Sequence, residues 1–294
     1  DRSVSRGLGD VYKRQFIQLQ PVEIAKLAVI VLLAAFIYKK NRYSKSIKFT
    51  IYCWIVGIIP ALLTLKVSSD LSSALVIMAI TFGLTFIFNR TKKMHIVVLL
   101  TAVGLIAGYI LHIKSNLPDP AHIDDYSYRI ARIVAWLYPD RYSDAAYQSQ
   151  TALYSIGSGG FWGVGLGRMY VNIPEGQTDF IFVLLTHQLG IFGGICLILC
   201  YVYLLFQILK IALNACSLYE TILVIGILIH IATQVVVNMG VCTSLLPNTG
   251  LPLVLMSYGG SSILTSFAEL AICVSVSKKS VVKVSKKIAK EELG

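Results

Sequence analysis

Asn172-Ile173-Pro174-Glu175-Gly176-Gln177-Thr178-Asp179-Phe180-Ile181-Phe182 is a short polar loop that runs straight into a long apolar stretch, Phe180 to Phe206. A helix needs about 20 predominantly apolar residues to cross a bilayer, and this stretch exceeds that length. Its last charge, Asp179, stands at the lip of the apolar run. A carboxylate at the edge of a hydrocarbon slab is costly to desolvate, and such a group suits the work of a general base or a ligand for a divalent cation such as Mg²⁺ or Mn²⁺. The competing reading is that Asp179 N-caps the helix that follows, as Asp often does. On position alone the two readings stand level.

The rest of the chain agrees with a membrane setting. Its 294 residues are 56% hydrophobic and 14% charged, against roughly 25% charged in a soluble domain, and its mean hydropathy is +0.71. In a soluble protein the net charge of +11 would point to nucleic acid. Here the basic residues cluster in short links between apolar runs, where membrane topology and anionic lipid account for them. No nucleic-acid partner is expected. The six cysteines, Cys53, Cys196, Cys200, Cys216, Cys242 and Cys273, lie in or beside apolar runs without metal-ligand spacing or a disulfide framework.

Taken in order, residues Asp1 to Gln15 are polar and fit nothing that follows, so they are set apart as a non-native leader. The membrane domain then covers residues 16–277, and a basic tail covers 278–294. Spans are expected near Pro21–Tyr38, Phe49–Leu65, Leu71–Phe88, His95–Ile113, Phe180–Leu209 and Leu218–Val241, with a seventh ending near Ser277. Lys39, Lys40, Arg42, Lys45 and Lys48 follow the first span, Arg90, Lys92 and Lys93 follow the third, and six lysines occupy the tail. If every span crosses once, these links share one side, which the positive-inside rule makes cytoplasmic. The long segment 114–178 is then an outer loop. Glu23 and Lys26, Asp70, and Asp179 all reach that outer face, although helix starts favour acids on their own account.

Several stretches carry polar chemistry. Gln20-Pro21-Val22-Glu23-Ile24-Ala25-Lys26 places Pro at a helix start and pairs Glu23 with Lys26 at i, i+3. That is either a surface pair or a partly desolvated one able to serve a diphosphate. Arg129, Arg132 and Arg168 can bind phosphate bidentately, or sit as solvated charges. Gly157 to Arg168 is glycine-rich, but no strand precedes it and no Walker lysine follows, so a flexible loop dipping into the membrane is expected. Pro247 to Leu253 and Ser257-Tyr258-Gly259-Gly260-Ser261-Ser262 form a kinked approach to the last span. Gln234 and Asn238 lie one turn apart and can bond across helices. His187, His230 and Glu269 are intramembrane ionisable groups, and for His230 a packing contact is the expected role.

Together, Gln20–Lys26, the segment from Arg129 through Tyr147-Gln148, Gly157–Gly167, Ile173–Phe182 and Pro247–Ser262 resemble the SEDS family of polytopic cell-wall proteins, typified by RodA, FtsW and SpoVE. The resemblance runs from about Gln20 to the last span, with the motifs in the family order. It implies an all-α helical bundle of the SEDS type. Seven of the family's ten transmembrane helices are present, and the first three are expected to be missing at the break marked by Asp1–Gln15. It also implies a peptidoglycan glycosyltransferase that polymerises lipid II on the outer face of the bacterial cytoplasmic membrane, with undecaprenyl diphosphate as leaving group. The implied partners are a class B penicillin-binding protein transpeptidase and other elongation or division proteins. In the family's Thr-Asp-Phe-Ile-Phe motif the Asp is the essential one, which makes Asp179 the expected catalytic residue. Glu23, Lys26 and Asp70 carry over as supporting residues, and Arg129, Arg132, Gln148, Glu175, Ser257 and Tyr258 as supporting or substrate-binding ones. Two departures stand out: Asp70 sits in Ser-Asp-Leu-Ser-Ser, without the family's Pro and Gly, and His187-Gln188-Leu189-Gly190 replaces Glu-Glu-Leu-Gly.

The residues allow three functional classes. An enzyme comes first: transfer to a sugar hydroxyl needs a base and a cation for the departing diphosphate, and Asp179 with Lys26, an outer-loop Arg or a bound metal can supply both. A non-catalytic scaffold for a transpeptidase comes second, in view of the departures. A lipid II flippase comes third, because only His187, His230, Gln234 and Asn238 hint at a polar path through the bilayer.

Overall fold

The computed structural model describes residues 20–41, 46–68, 70–89, 91–120, 123, 126–168, 173 and 176–292, excepting the side chains of 282–292. The expected leader and Glu175 lie outside the described residues. Among the described residues there are nine helices and no strand: α1 Pro21–Lys40, α2 Ile47–Val67, α3 Leu71–Phe88, α4 Lys92–Ser115, α5 Tyr128–Leu137, α6 Ser143–Gly159, α7 Ile181–Leu213, α8 Leu218–Cys242 and α9 Gly260–Glu292. Seven are long and apolar enough to cross a membrane: α1 to α4, α7, α8 and α9 as far as Val281. These are the seven spans the hydropathy pattern predicts, displaced by a few residues at their ends. The segment expected as an outer loop is partly helical, since α5 and α6 lie within it.

The chain divides into two compact units. The first comprises the residues up to Thr91, Cys200–Gln234 and those from Val254 onward. In it α1 packs on α2, α3 and α9, and α2 packs on α3. Val29, Ile30, Leu33, Ile77, Ile80, Leu84, Ile222, Ile227 and Ile231 form its buried apolar interior. Small residues permit the close helix contacts. A Cβ on Gly57 would lie 2.0 Å from Thr81 Oγ1, and one on Gly226 would lie 2.6 Å from Ile30 Cγ2. Pro21 opens α1 where its missing N–H costs nothing, and Lys39 and Lys40 occupy its last turn. Asp70 N-caps α3, accepting from the Ser73 N–H at 3.1 Å.

Polar pairs tie this unit together. Glu23 and Lys26 are both buried, Lys26 completely, with Nζ 2.7 Å from Glu23 Oε1. His230 of α8 and Glu269 of α9 are buried and meet at 2.7 Å, which makes the expected packing contact of His230 a specific one. Glu220 in the first turn of α8 bonds Lys279 of α9, and Ser280 Oγ donates to the carbonyl of Asn214, just after α7, at 2.7 Å.

The second unit comprises Lys92–Leu199 and Val235–Leu253. Its small core is Ile113 of α4, Val134 and Ala135 of α5, Tyr142, and Ala146 of α6, flanked by Leu117, Ile123, Ile130, Ile133 and Tyr138. Ile130, Ile133 and Val134 lie on one helical face at i, i+3, i+4 spacing, which is what docks α5 on this core. The Tyr142 hydroxyl donates to the Pro118 carbonyl at 2.6 Å.

Within this unit α7 is not one continuous helix. Gly190 has φ 71 and ψ −176, which interrupts it. At such a break the amides of Ile191 and Phe192 and the carbonyls of His187 and Gln188 lose their intrahelical partners, a costly loss in an apolar setting. The glycine-rich loop supplies all four replacements. Ile191 N–H donates to the Gly160 carbonyl at 3.0 Å and Phe192 N–H to the Phe161 carbonyl at 3.3 Å. Val164 N–H donates to the His187 carbonyl and Gly165 N–H to the Gln188 carbonyl, each at 3.1 Å. The loop expected to be flexible is therefore spliced into a broken helix by backbone hydrogen bonds. The expectation differs because a glycine-rich stretch reads as freedom when the backbone groups it bonds lie elsewhere in the chain, inside the run Phe180 to Phe206.

Candidate active site

Asp179 is half-buried in the turn that leads into α7. Phe180 follows it, and the Phe180 carbonyl accepts from the amides of Val183 and Leu184, so Phe180 holds the N-cap position of the helix. The Asp179 backbone is fixed from α8. Asn238 Nδ2 donates to the Asp179 carbonyl at 2.7 Å and to the Leu251 carbonyl at 2.8 Å, using both hydrogens of one amide. Cys242 Sγ, one turn further along, lies 3.7 Å from the same Asp179 oxygen. Asn238 and Cys242 are both buried. The main chain at Asp179 is thus held from α8.

The Leu251 carbonyl belongs to the loop after α8, and this loop gathers the other polar groups. Asn248 makes a turn in which its Oδ1 accepts from the Gly250 N–H at 3.2 Å, and Gly250 takes φ 70. From α5, Arg132 Nη1 donates to the Asn248 carbonyl at 3.0 Å, and Trp136 Nε1 donates to the Ser244 carbonyl at 2.9 Å. From α6, Gln148 Oε1 accepts from Asn248 Nδ2 at 3.0 Å. Arg132 also bonds the Tyr128 hydroxyl and lies over the Tyr128 ring, 4.1 Å from its centroid. A Cβ placed on Gly250 would stand 3.3 Å from Asp179 Oδ2 and 3.8 Å from both Arg132 Nη1 and Nη2. Carboxylate and guanidinium therefore flank the bare Cα of Gly250.

Of the residues expected from the sequence, Asp179, Arg132 and Gln148 come together on this loop, and Arg129 lies exposed on α5 one turn before Arg132. Glu23, Lys26, Asp70, Ser257 and Tyr258 belong to the first unit. There Lys26 is committed to Glu23 in a buried pair, and Asp70 caps its helix. In this arrangement Lys26 presents no cation to solvent. Ser257 is buried and Tyr258 is exposed. Sequence reasoning passed over Asn248 and Gly250 as site residues and gave Asn238 as a cross-helix bond or part of a polar path, not as a group fixing Asp179. The signal available for the first two was turn chemistry, an Asn two residues before a Gly.

The departure at His187-Gln188 falls where α7 meets α6. His187 Nδ1 lies 2.9 Å from the Ser155 carbonyl and 3.3 Å from Ser158 Oγ. The loop amides bond the main-chain carbonyls of His187 and Gln188, and the His187 ring adds its contacts to Ser155 and Ser158.

Among the described residues no group of three or more His, Cys, Asp or Glu side chains is placed to hold a metal ion. A divalent cation at Asp179 would be held by this one carboxylate, with oxygens of substrate and water completing its shell, as Mg²⁺ sites commonly are.

A family profile described as "Cell cycle protein", covering FtsW, RodA and SpoVE, matches residues 12–281. Stage V sporulation protein E of Bacillus subtilis is 33% identical over 266 residues, covering 89% of this chain and 69% of that protein. The "Probable peptidoglycan glycosyltransferase FtsW" of Tolumonas auensis is 31% identical over 270 residues, covering 89% of this chain and 66% of that protein. The chain thus spans about two thirds of the length of these relatives. Among solved structures, a peptidoglycan synthase complex that coordinates polymerization and crosslinking contains a chain matching with a TM-score of 0.70 and 25% identity, covering 91% of this chain and 72% of that one. The rod shape determining protein RodA of Thermus thermophilus matches with a TM-score of 0.57 and 25% identity, covering 90% of this chain and 68% of that one. The chain belongs to the FtsW, RodA and SpoVE family.

Proposed function

We propose that this chain is a peptidoglycan glycosyltransferase that polymerises lipid II, with its active site on the outer face of the bacterial cytoplasmic membrane. The observation that carries this reading is the gathering of Asp179, Arg132 and Gln148 on the Asn248–Gly250 loop. In the reaction, Asp179 takes the proton of the acceptor sugar hydroxyl as the hydroxyl oxygen attacks the anomeric carbon of a lipid-linked sugar. The bond from that carbon to the diphosphate oxygen breaks, and the charge left on the diphosphate faces the Arg132 guanidinium. Diphosphate leaves readily, so no general acid is needed. The Tyr128 ring under Arg132 and the Asn248 carbonyl beside it hold the cation in place before the charge develops, which is when preorganised groups act most strongly. A divalent cation on Asp179 would add Lewis-acid stabilisation of the diphosphate.

The family relatives named as peptidoglycan glycosyltransferases support the reaction, and the solved synthase complex, which coordinates polymerization and crosslinking, supports a crosslinking partner, for which we propose a class B penicillin-binding transpeptidase. The Lys/Arg-rich links after α1 and α3 support an outward-facing site through the positive-inside rule. The scaffold reading predicts the same fold without the chemistry. The two are separated by supplying the purified protein, in lipid nanodiscs with a partner transpeptidase, with fluorescent lipid II. Glycan polymer that grows with time and is digested by a muramidase is the expected result. Lipid II left unpolymerised would put the scaffold reading ahead.

A further inference from the structure

We propose that the His230–Glu269 pair is a reversible proton-binding site inside the membrane domain, taking up one proton beyond the one shared between Nδ1 and Oε1. Three glutamates are buried among the described residues, Glu23, Glu220 and Glu269. Glu23 is paired with Lys26 and Glu220 with Lys279, and each ammonium brings a full positive charge. Glu269 is paired instead with histidine, 2.7 Å from His230 Nδ1, and an imidazole is charged only when it holds a second proton. A neutral imidazole donating its Nδ1–H to an ionised carboxylate leaves a net negative charge in an apolar interior, which is costly. The charged groups around the pair are committed elsewhere. On α1, Glu23 and Lys26 close on each other, and Lys39 and Lys40 lie exposed at the helix end. Glu220 and Lys279 close on each other across α8 and α9. Helix α3 carries no titratable side chain, and Lys210 of α7 lies over the Phe206 ring.

A proton on the pair removes the net charge. Two buried atoms can take it, because neither His230 Nε2 nor Glu269 Oε2 has a hydrogen-bond partner. The proton belongs to the pair rather than to either residue. The surroundings disfavour other ligands. No described group of three or more His, Cys, Asp or Glu is placed for a metal ion, and a carboxylate repels an anion. A proton needs only a lone pair, so close packing does not exclude it. Intramembrane Glu and His residues are expensive to keep, and proton handling is one of the tasks that retain them. His230 and Glu269 belong to the first unit and Asp179 to the second, so the site stands apart from the polymerase chemistry.

Dicyclohexylcarbodiimide, an apolar reagent that enters the bilayer, tests the site in the intact protein. It reacts with a protonated carboxyl. The acid proton goes to a carbodiimide nitrogen, the carboxyl oxygen bonds the central carbon, and rearrangement leaves a stable N-acylurea with no group lost. The protein in nanodiscs is treated across about pH 5 to 8, the range in which histidine changes charge, and the adducts are located by mass spectrometry. Glu269 is expected to be labelled at least about tenfold more than Glu23 or Glu220, and less as the pH rises. Infrared difference spectra between acidic and alkaline buffer give a readout that needs no reagent to reach the site. They are expected to carry a carboxyl or imidazole band that disappears in Glu269→Gln and in His230→Gln, each confirmed as folded by its melting temperature. A wild type without that band, or a band that persists in both variants, would overturn the proposal. So would Glu23 or Glu220 labelled as strongly as Glu269, a comparison made on the wild type that stands even where a variant fails to fold.

Discussion

Asp179→Asn is expected to lower the polymerisation rate by about 100-fold or more while the protein stays folded in the membrane. The substitution keeps the size of the side chain and removes its ability to accept a proton at neutral pH or to bind a hard cation well. Folding is expected to survive because two contacts that fix this turn go to the backbone. Asn238 and Cys242 both reach the Asp179 carbonyl oxygen, which Asn retains. The check is polymer formation from lipid II alongside thermal unfolding in detergent. A variant with an unchanged melting temperature and a near wild-type rate would remove Asp179 from the chemistry.

The second large effect is one of stability. Gly190→Ala is expected to lower the melting temperature by about 10 °C. With φ 71 and ψ −176, Gly190 occupies a region closed to residues with a side chain, at a cost of about 1–3 kcal/mol. Its Cβ would fall 2.1 Å from the Phe161 carbonyl oxygen, so the loop must also move away. That movement breaks or weakens the four backbone bonds joining the loop to the break in α7, at about 1 kcal/mol each. The sum is about 4 kcal/mol or more. Gly157→Ala is the matched control: it lies in α6 with nothing within 4 Å of its Cβ position. Ala there favours the helix, so its melting temperature should hold or rise slightly. Equal melting temperatures for the two variants would contradict the splice.

What could be read from the sequence follows from which forces act locally. The seven spans are legible because each is a long apolar run, a pattern that hydrocarbon imposes on a crossing helix. Helix α5 has Ile130, Ile133 and Val134 on one face, but at ten residues it is too short to stand out as a span within the mixed-charge segment 114–178. Helix α6 is rich in Ser, Gln and Gly, so neither hydropathy nor propensity marks it. The break at Gly190 is faint in hydropathy, because Thr186-His187-Gln188 interrupts the run Phe180 to Phe206 for only three residues and its two halves together still read as one span.

The candidate site divides the same way. Asp179, Arg132 and Gln148 are legible as chemistry, since charge and hydrogen-bonding capacity belong to the residue itself. Asn238 and Gly250 are legible only as contacts. The bond from Arg132 to Asn248 joins residues 116 positions apart, and no local pattern announces that meeting. The Glu23–Lys26 pair shows the converse. Its i, i+3 spacing was clear in the sequence, whereas its complete burial depends on helices that pack against it from elsewhere in the first unit.

In the proposed reaction Asp179 and Arg132 act on one reacting centre, and a double-mutant cycle tests this most directly. The measurement is kcat/KM for lipid II polymerisation by the wild type, Asp179→Asn, Arg132→Ala and the double variant, each confirmed as folded. Groups that act as a unit are strongly non-additive. With each single loss about 100-fold, the double variant is predicted to stay within about threefold of the weaker single variant. Losses that multiply to about 10⁴-fold would show two independent contributions and contradict a shared site.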